Sequence, residues 1–175
     1  MIHGRFQPFH NGHLAYLRAA AARAEITFVG ITNPDRRRTT PEADDPVRHL
    51  PEANPLTYTE RLLVISAVAE EEAIPVHVIP FPITEPDLWV DYVPSGVTHF
   101  LRVLSPWGRS KLERLRAGGD RVEVLEAPEG KAVSGERVRA AIRAGGEWRA
   151  MVPPAVARFV DGLPAGHALA PRRSP

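Results

Sequence analysis

The sequence lacks cysteine altogether, and this absence excludes several kinds of site at once. A chain of 175 residues without cysteine has no disulfide scaffold, no thiolate zinc site, no iron–sulfur cluster and no cysteine nucleophile. No apolar run approaches the ~20 residues that a membrane-spanning helix needs, and the N-terminus does not have the layout of a signal peptide. We therefore expect a cytoplasmic globular protein with no membrane partner.

The chain also has little net charge. Lysine and arginine together number 22 and the acidic residues 21, which gives a formal charge of +1. This balance provides no strong field for nucleic acid, so no nucleic-acid partner is expected. Lysine itself is rare, because only Lys111 and Lys131 are lysines; arginine, the better planar partner for phosphate, supplies the other cations.

Strands and helices alternate along the chain. The apolar start before Gly4 and the apolar runs at 25–32, 76–81, 98–104 and 121–127 predict strands. Periodic segments that start at residue 13 or cover 59–72, 86–93, 110–118, 134–145 and 147–163 predict helices. This order predicts an α/β fold with a doubly wound parallel sheet in a single domain over residues 1–163. Residues 33–55, rich in proline and arginine, are expected to form an inserted loop, and residues 164–175 a flexible C-terminal tail.

The first strand-to-helix turn, GRFQPFHNGH, contains the residues best suited to chemistry. In a doubly wound sheet the ligand lies beyond the carboxyl ends of the strands, at such a turn. His10 and His13 are three residues apart where a helix begins, so their imidazoles can converge on one point, and Arg5 adds a fixed cation. With the N–H groups of the helix N-terminus, these side chains suit a phosphate that gains charge in a transition state.

Simpler roles for the two histidines are also open. A histidine at a helix start is commonly a cap or a solvated residue, and two histidines at this spacing can share a metal ion. No carboxylate or third histidine lies nearby in the sequence, so no metal ligand is predicted. The turn matches neither the GxxxxGK[ST] phosphate loop nor the GxGxxG dinucleotide pattern.

This turn resembles the HxGH motif of the nucleotidyltransferase superfamily, and its surroundings are most similar to the archaeal-type nicotinamide-nucleotide adenylyltransferases. NPLTYTERLLVI resembles the segment that leads into the family's second helix, DLWVDYV its Trp-Val segment, and VSGERVRAAIRAGGEWRAMVPPAV its late SGTxVR motif. The resemblance implies a Rossmann-like nucleotidyltransferase fold and an enzyme whose partners are small nucleotide substrates. The implied reaction joins ATP to nicotinamide mononucleotide, gives NAD and releases pyrophosphate. Mg²⁺ would be carried mainly by the triphosphate, and the family often forms homo-oligomers.

The resemblance also implies roles for residues at the matching positions. His10 would contact the α-phosphate region, His13 would stabilise charge that develops on the triphosphate, and Trp89 would stack on the acceptor base. The implied set comprises the catalytic residues Arg5, His10, His13 and Arg139, the nucleotide-binding residues Gly4, Phe6, Gln7, Gly12, Ser134, Gly135 and Arg137, and the acceptor-binding residues Thr32, Asn33 and Trp89.

Three segments depart from the family pattern at edges that would contact substrate. Glu136 stands where the family has threonine, and its carboxylate would repel a triphosphate unless it points away. TNPDRRR and the insertion up to residue 55 replace a short segment of small residues, and FLRVLSPWGRSKL replaces a Gly-Asn contact to the nucleotide. Arg36, Arg37 and Arg38 in the insertion would suit a clamp that closes over the triphosphate. The departures leave open the same chemistry with CTP or another phosphorylated acceptor, and also a nucleotide-binding sensor without turnover.

Overall fold

Five short strands and six α-helices alternate in the computed structural model, which describes residues 1–126 and 133–170. The strands are β1 (Ile2–Gly4), β2 (Thr27–Thr32), β3 (Val76–Phe81), β4 (Thr98–Leu101) and β5 (Arg121–Val124). The helices are α1 (Asn11–Ala21), α2 (Tyr58–Glu71), α3 (Trp89–Tyr92), α4 (Pro106–Ala117), α5 (Gly135–Arg143) and α6 (Pro154–Asp161). Single 3₁₀ turns lie at Pro51–Ala53, Pro86–Leu88 and Arg149–Met151. The last residue of the predicted fifth strand and the tail beyond residue 170 lie outside the described residues.

All strand pairs are parallel: β1, β2 and β3 form a three-stranded sheet, and β4 and β5 form a two-stranded one. β2 lies between β1 and β3, with Val29 opposite both Ile2 and Val78, while β4 pairs with β5. Two backbone hydrogen bonds join the two halves: the Met1 amino group donates to the Thr98 carbonyl at 2.7 Å, and the Phe100 N–H donates to the Met1 carbonyl at 2.9 Å. The order of the strands along the sheet thus reverses between β1 and β4. The doubly wound parallel sheet predicted from the sequence is confirmed.

Side-chain caps fix where the helices begin. Thr57 and Glu60 form a capping box at the start of α2, and Ser134 accepts a hydrogen bond from the Arg137 N–H at the start of α5. Helix α4 begins four residues earlier than the predicted 110–118 segment, because Ser105 accepts a hydrogen bond from Gly108 N and Pro106 occupies the first helical position.

Two apolar clusters hold the sheet. The larger one joins β1 and β2 to helices α1, α2, α5 and α6. The smaller one contains Met1, Phe81, Ile83, Trp89, Leu101, Trp107 and Leu115. No helix in the described part of the chain is long and apolar enough to span a membrane.

The C-terminal segment is packed further than the sequence indicated. The side chain of Leu169 is fully buried in the larger apolar cluster, and His167 Nε2 lies 3.1 Å from Glu60 Oε1 at the start of α2. The flexible tail expected from residue 164 stays a prediction, with Leu169 as a buried residue within it. This segment is rich in alanine, proline and glycine and has no apolar periodicity, so the burial of Leu169 could not be predicted from the sequence.

The inserted loop folds back on the sheet. Asn54 Nδ2 donates to the carbonyl groups of Arg48 and Leu50, at 2.7 and 2.9 Å. The buried Arg61 guanidinium donates to the carbonyl oxygens of Arg5 and Thr32, at 3.1 and 2.8 Å, and to those of Asn33 and Pro34. These bonds satisfy the carbonyl groups that follow β1 and β2, so the beginning of the insertion is held against the carboxyl edge of the sheet.

Candidate active site

A cavity of about 1050 Å³ lies at the carboxyl ends of β1 and β4, where the strand order reverses. Ligands bind at this point in doubly wound sheets, because the loops on either side diverge there. The main parts of the chain that line the cavity are the turn after β1, the starts of α1, α4 and α5, and residues 44–53 of the inserted loop. The ends of β1 and β2 and the segment after β4 complete its walls. The predicted first-turn motif and the predicted late motif are therefore on the walls of one cavity.

His10 and His13 lie face to face in this cavity. Their ring centroids are 3.6 Å apart with an angle of 23° between the planes. Burial lowers the pKa of His10 to about 4, and burial, followed by the charges of His10, Lys111 and Arg5, lowers the pKa of His13 well below its usual value. Both rings are therefore neutral near pH 7. Each Nδ1 atom is buried and has no hydrogen-bond partner within residues 1–126 and 133–170, so a bound anion would offer both rings an acceptor.

Gly12 makes this close approach possible. A Cβ atom at position 12 would lie 3.1 Å from both Cε1 and Nδ1 of His10, and 3.5 Å from the carbonyl oxygen of Val133. The two contacts with the His10 ring are tighter than most Cβ contacts, so a larger residue at position 12 would displace that ring by a few tenths of an ångström. The spacing in the HxGH pattern thus has a steric reason in this molecule.

The turn between β1 and α1 is held by Phe6 and Gln7. Phe6 has a φ of 53°, which a bulky residue rarely adopts, and its buried ring packs against Phe9 and His13. The Gln7 side chain donates to the Leu56 carbonyl at 2.9 Å and accepts from the Leu56 N–H at 2.8 Å. The side-chain amide of Gln7 is thus occupied by the backbone before α2, and the turn is locked in place.

The start of α5, referred to below as the cradle, lines the cavity together with the histidines. Ser134, Gly135, Glu136 and Arg139 line the cavity, and Arg139 Nη1 donates to the Gln7 carbonyl at 2.7 Å. A Cβ at Gly135 would lie 3.0 Å from that carbonyl oxygen, so the helix start packs directly on the first turn. The N–H groups of a helix N-terminus and a nearby guanidinium favour a phosphate at this position. Glu136 is exposed on the cavity wall, so its carboxylate has room to turn toward solvent.

Arg5 is held by the inserted loop. Its Nη1 donates to the Arg48 carbonyl at 3.1 Å, and its Nη2 lies 3.6 Å from a carboxylate oxygen of Asp45. Burial lowers the pKa of Arg5 and Asp45 opposes this shift, so the guanidinium remains charged near pH 7. The insertion thus orients a cation beside the histidines.

Most residues implied by the family resemblance meet in this cavity. Its walls include Gly4, Arg5, Phe6, Gln7, His10, Gly12, His13, Thr32, Ser134, Gly135 and Arg139. The other three, Arg137, Asn33 and Trp89, do not line it. The side chain of Arg137 is exposed on α5, and Asn33 lines a neighbouring cavity of about 450 Å³ together with Tyr58, Leu88 and Tyr92.

The structure does not bring Trp89 into either cavity. Its side chain is 9% exposed, its Nε1 donates to the Pro82 carbonyl at 2.9 Å, and its ring packs on Phe81 with centroids 5.4 Å apart. Burial of the large apolar ring determines this orientation, whereas the next residue, Val90, is exposed. The expected stacking of Trp89 on the acceptor therefore has no support in this arrangement.

The suggested clamp of three arginines is not assembled either. Arg36 Nη1 donates to the Pro55 carbonyl at 2.6 Å, Arg37 lies beside Asp35, and Arg38 lines the smaller cavity. Sequence reasoning missed Arg48 instead, a buried arginine in the same insertion, together with Trp107 and Lys111 of α4. The only signal in the sequence for these three residues was their location in the two segments that depart from the family pattern.

No group of three or more metal-ligating side chains capable of holding a metal occurs within the described ranges. The walls contain Asp44, Asp45, Glu52 and Glu136, but Asp45 is engaged by Arg5 and Asp44 by Ser110. These residues do not fit a resident metal centre. They are compatible with Mg²⁺ that enters as part of a nucleotide substrate.

A doubly wound sheet whose cavity holds the stacked HxGH histidines and the cradle defines a Rossmann-like enzyme that acts on nucleotides. The chain belongs to the cytidylyltransferase-like family, whose model matches residues 1–141. It is a nucleotidyltransferase.

Relatives include transferases for two different nucleotides. The chain is 46% identical over 163 residues to a phosphonoformate cytidylyltransferase of Streptomyces viridochromogenes, covering 91% of this chain and 89% of that protein. It is 33% identical over 165 residues to a nicotinamide-nucleotide adenylyltransferase of Methanospirillum hungatei, covering 91% and 85%. The fold is also similar to a crystal structure of a bifunctional NMN adenylyltransferase/ADP ribose pyrophosphatase from Francisella tularensis, with a TM-score of 0.61 and 15% identity over 92% of this chain. The chain spans 48% of that bifunctional protein.

Proposed function

We propose that this protein transfers a cytidylyl group from CTP to a small phosphonate acid and releases pyrophosphate. A phosphonate oxygen of the acceptor attacks the α-phosphorus of CTP, and the bond from that phosphorus to the oxygen bridging to the β-phosphate breaks in line. The products are a cytidylyl phosphonate and pyrophosphate. No covalent enzyme intermediate is needed, so catalysis rests on positioning and charge stabilisation.

The stacked histidines supply the stabilisation of charge. Both rings are neutral in the free protein, so each carries one N–H donor, and each has a buried nitrogen without a partner among the described residues. Charge grows on the phosphate oxygens as the bridging bond breaks, and this makes hydrogen bonds from His10 and His13 stronger in the transition state than in the ground state. Gly12 keeps the rings in this position.

The cations on the two sides of the cavity orient the triphosphate. Arg139 and the N–H groups after Ser134 face it from α5, and Arg5 faces it from the first turn. Gly4, Phe6 and Gln7 contribute the backbone that brings the phosphates close to the histidines. Mg²⁺ that arrives with CTP neutralises part of the charge on the leaving pyrophosphate.

The observation that carries this choice of substrates is the burial of Trp89. An adenylyltransferase that binds nicotinamide mononucleotide needs a surface for the nicotinamide ring, and here the indole packs on Phe81 and bonds to the Pro82 carbonyl. A phosphonate acid needs no ring-stacking surface. The 46% identity to a phosphonoformate cytidylyltransferase supports the same choice.

A second candidate is the synthesis of NAD from ATP and nicotinamide mononucleotide. It is favoured by the smaller cavity of about 450 Å³, which adjoins the main one through Arg48 and is lined by Asn33, Tyr58 and Tyr92. A nicotinamide ring could be bound there, with Thr32 and Asn33 near its ribose. Archaeal adenylyltransferases about 30% identical to this chain support this alternative.

The experiment is to incubate the protein with Mg²⁺, CTP or ATP, and either phosphonoformate or nicotinamide mononucleotide, and to identify products by mass spectrometry. A cytidylyl phosphonoformate formed from CTP supports the proposal. NAD formed from ATP, with no cytidylyl product, supports the second candidate instead. The His10→Ala variant, run in parallel, confirms that the product comes from this site.

A further inference from the structure

Four cations in the main cavity are not used by the proposed handling of the triphosphate: Arg48, Arg102, Lys111 and Arg143. Arg102 and Arg143 donate to backbone carbonyl groups. Arg48 lies in the inserted loop and Lys111 lies in the second turn of α4. These two residues come from the two segments that depart from the family pattern.

Arg48 is an oriented and largely dry guanidinium. Its side chain is 4% exposed, its Nη2 donates to Thr32 Oγ1 at 3.2 Å, and its guanidinium carbon lies 4.4 Å from the centroid of the Trp107 ring. The nearest carboxylate is Asp45 at 3.9 Å, and Asp45 also faces Arg5. The Nε atom of Arg48 is buried without a partner in the described segments. Arg48 therefore retains hydrogen-bonding capacity for a ligand.

Lys111 lines the same cavity as Arg48 and the two histidines. Burial, and then the charge of Arg48, lowers the pKa of Lys111 to about 7. No carboxylate in the described part of the chain forms an ion pair with it, and its charge lowers the pKa values of His13 and His99. An anion bound between Arg48 and Lys111 would relieve their mutual repulsion and favour the charged ammonium group. The carboxylates that act on Arg48 are Asp45 and Glu42, and they also pair with Arg5 and Arg114.

We propose that Arg48 and Lys111 form an acceptor subsite that binds a carboxylate, so the substrate is a compact acid carrying both a phosphonate and a carboxylate group. This inference rests on the proposed function. The phosphonate of such an acceptor would face His10 and His13 while its carboxylate is held by Arg48 and Lys111. Arg48 lines both cavities, and its guanidinium lies over the Trp107 ring in the main one.

Binding of acceptors that differ only in the second acid group tests the subsite. Phosphonoformate and methylphosphonate share the phosphonate but only the first has a carboxylate. We would titrate each into the full-length protein saturated with α,β-methylene-CTP and Mg²⁺ and measure Kd by calorimetry. Phosphonoformate should bind at least about tenfold more tightly, and Lys111→Met should weaken it about 10- to 100-fold, the range for one lost charge-assisted hydrogen bond, while methylphosphonate changes less than about twofold.

Two further variants keep the result interpretable. Arg48→Lys retains the charge but loses the planar contact with Trp107, so it should weaken phosphonoformate binding less than Lys111→Met does. Arg109→Met is the matched control, because Arg109 is exposed on α4, two residues before Lys111, and does not line the cavity. Equal binding of the two acceptors by the unmutated protein, or equal losses for both in Lys111→Met, would overturn the inference.

The same experiment separates this inference from the proposed function. The titrations are repeated with the corresponding ATP analogue in place of the CTP analogue. They show with which nucleotide bound the protein prefers phosphonoformate over methylphosphonate. If the preference for phosphonoformate appears with the ATP analogue only, the choice of CTP is wrong but the carboxylate subsite stands. If the CTP analogue binds and the carboxylate gives no preference, the subsite is wrong while cytidylyl transfer stands.

Discussion

Arg139 on α5 donates a hydrogen bond of 2.7 Å from its Nη1 to the carbonyl oxygen of Gln7, 132 positions earlier in the chain. The bond joins the cradle at the start of α5 to the turn that carries His10 and His13. Burial lowers the pKa of Arg139 to about 10, so the guanidinium stays charged near pH 7. Nη1 of Arg139 can thus hold the turn while the other nitrogen atoms of the guanidinium face the triphosphate. The position of the HxGH motif therefore depends on the position of the late motif at the start of α5.

Replacement of Arg139 by lysine should separate these two tasks. Lysine keeps the charge but cannot bond to the Gln7 carbonyl and a phosphate in the planar geometry of arginine. We expect kcat/KM to fall about 10- to 100-fold and the free energy of unfolding to fall by about 1 to 3 kcal/mol. Steady-state pyrophosphate release and urea unfolding measure the two effects. Arg109→Lys, a change on the exposed face of α4, should leave both values as they are; an unaltered kcat/KM in Arg139→Lys would remove Arg139 from the site.

His10→Ala should distinguish catalysis from binding. The ring of His10 stacks on His13 and contributes a donor to the developing charge, so its loss should lower kcat about 10²- to 10³-fold. Binding of the triphosphate, which the arginines and the α5 cradle dominate, should change less than about tenfold. Single-turnover kinetics and equilibrium titration with α,β-methylene-CTP give the two numbers. A loss of binding as large as the loss of rate would make His10 a nucleotide-binding residue only.

The order of strands and helices and the pairing of the two motifs could be predicted from the sequence, because periodicity and turn residues report on local structure. The positions of Arg48 and Trp89 could not. Arg48 lies in a segment without periodicity. Only the fold shows that Asn54 and Arg5 donate to its carbonyl group and that its guanidinium lies over the Trp107 ring. Trp89 has neighbours typical of a stacking residue, but burial of its ring against Phe81 decides its orientation, and a sequence does not show which face of a short helix is covered.

Gly12→Ala should damage the site without unfolding the chain. An added Cβ would lie 3.1 Å from the His10 ring, so the ring must move away from His13. We expect kcat to fall at least about tenfold, because a displacement of this size disturbs the positioning of a catalytic donor. Gly146→Ala is a suitable control, since its Cβ would meet only the Ala141 carbonyl, at 3.7 Å. Full activity in Gly12→Ala would show that the stacking of the two rings is not needed.

Stability should decrease as the pH falls below about 6.5. Burial lowers the pKa values of His10 and His99 to about 4 and those of His3 and His13 well below the usual value. The unfolded chain therefore binds protons between pH 6.5 and 4 that the folded protein does not, and the free energy of unfolding rises with pH in this window.

Each such histidine contributes up to about 1.4 kcal/mol per pH unit. Urea unfolding at pH 7, 6 and 5 measures this slope. The slope should become smaller in His99→Gln, whose ring is fully buried beside His3, and should remain in His77→Gln, whose side chain is exposed. A stability that is constant between pH 7 and 5 would contradict the burial of these rings in the free protein.

Trp89→Phe should lower the stability of the protein, whereas Trp107→Phe should weaken binding of the acceptor. Trp89 belongs to the smaller apolar cluster and donates to the Pro82 carbonyl, so its replacement should cost about 1 to 3 kcal/mol of unfolding free energy and leave the acceptor KM within about twofold. Trp107 lines the main cavity beneath Arg48, so its replacement should raise the acceptor KM because the guanidinium loses the surface that orients it. Steady-state kinetics at saturating CTP, together with urea unfolding, compare the two variants. A tenfold rise in the acceptor KM for Trp89→Phe would instead place the indole against the acceptor and favour nicotinamide mononucleotide as the substrate.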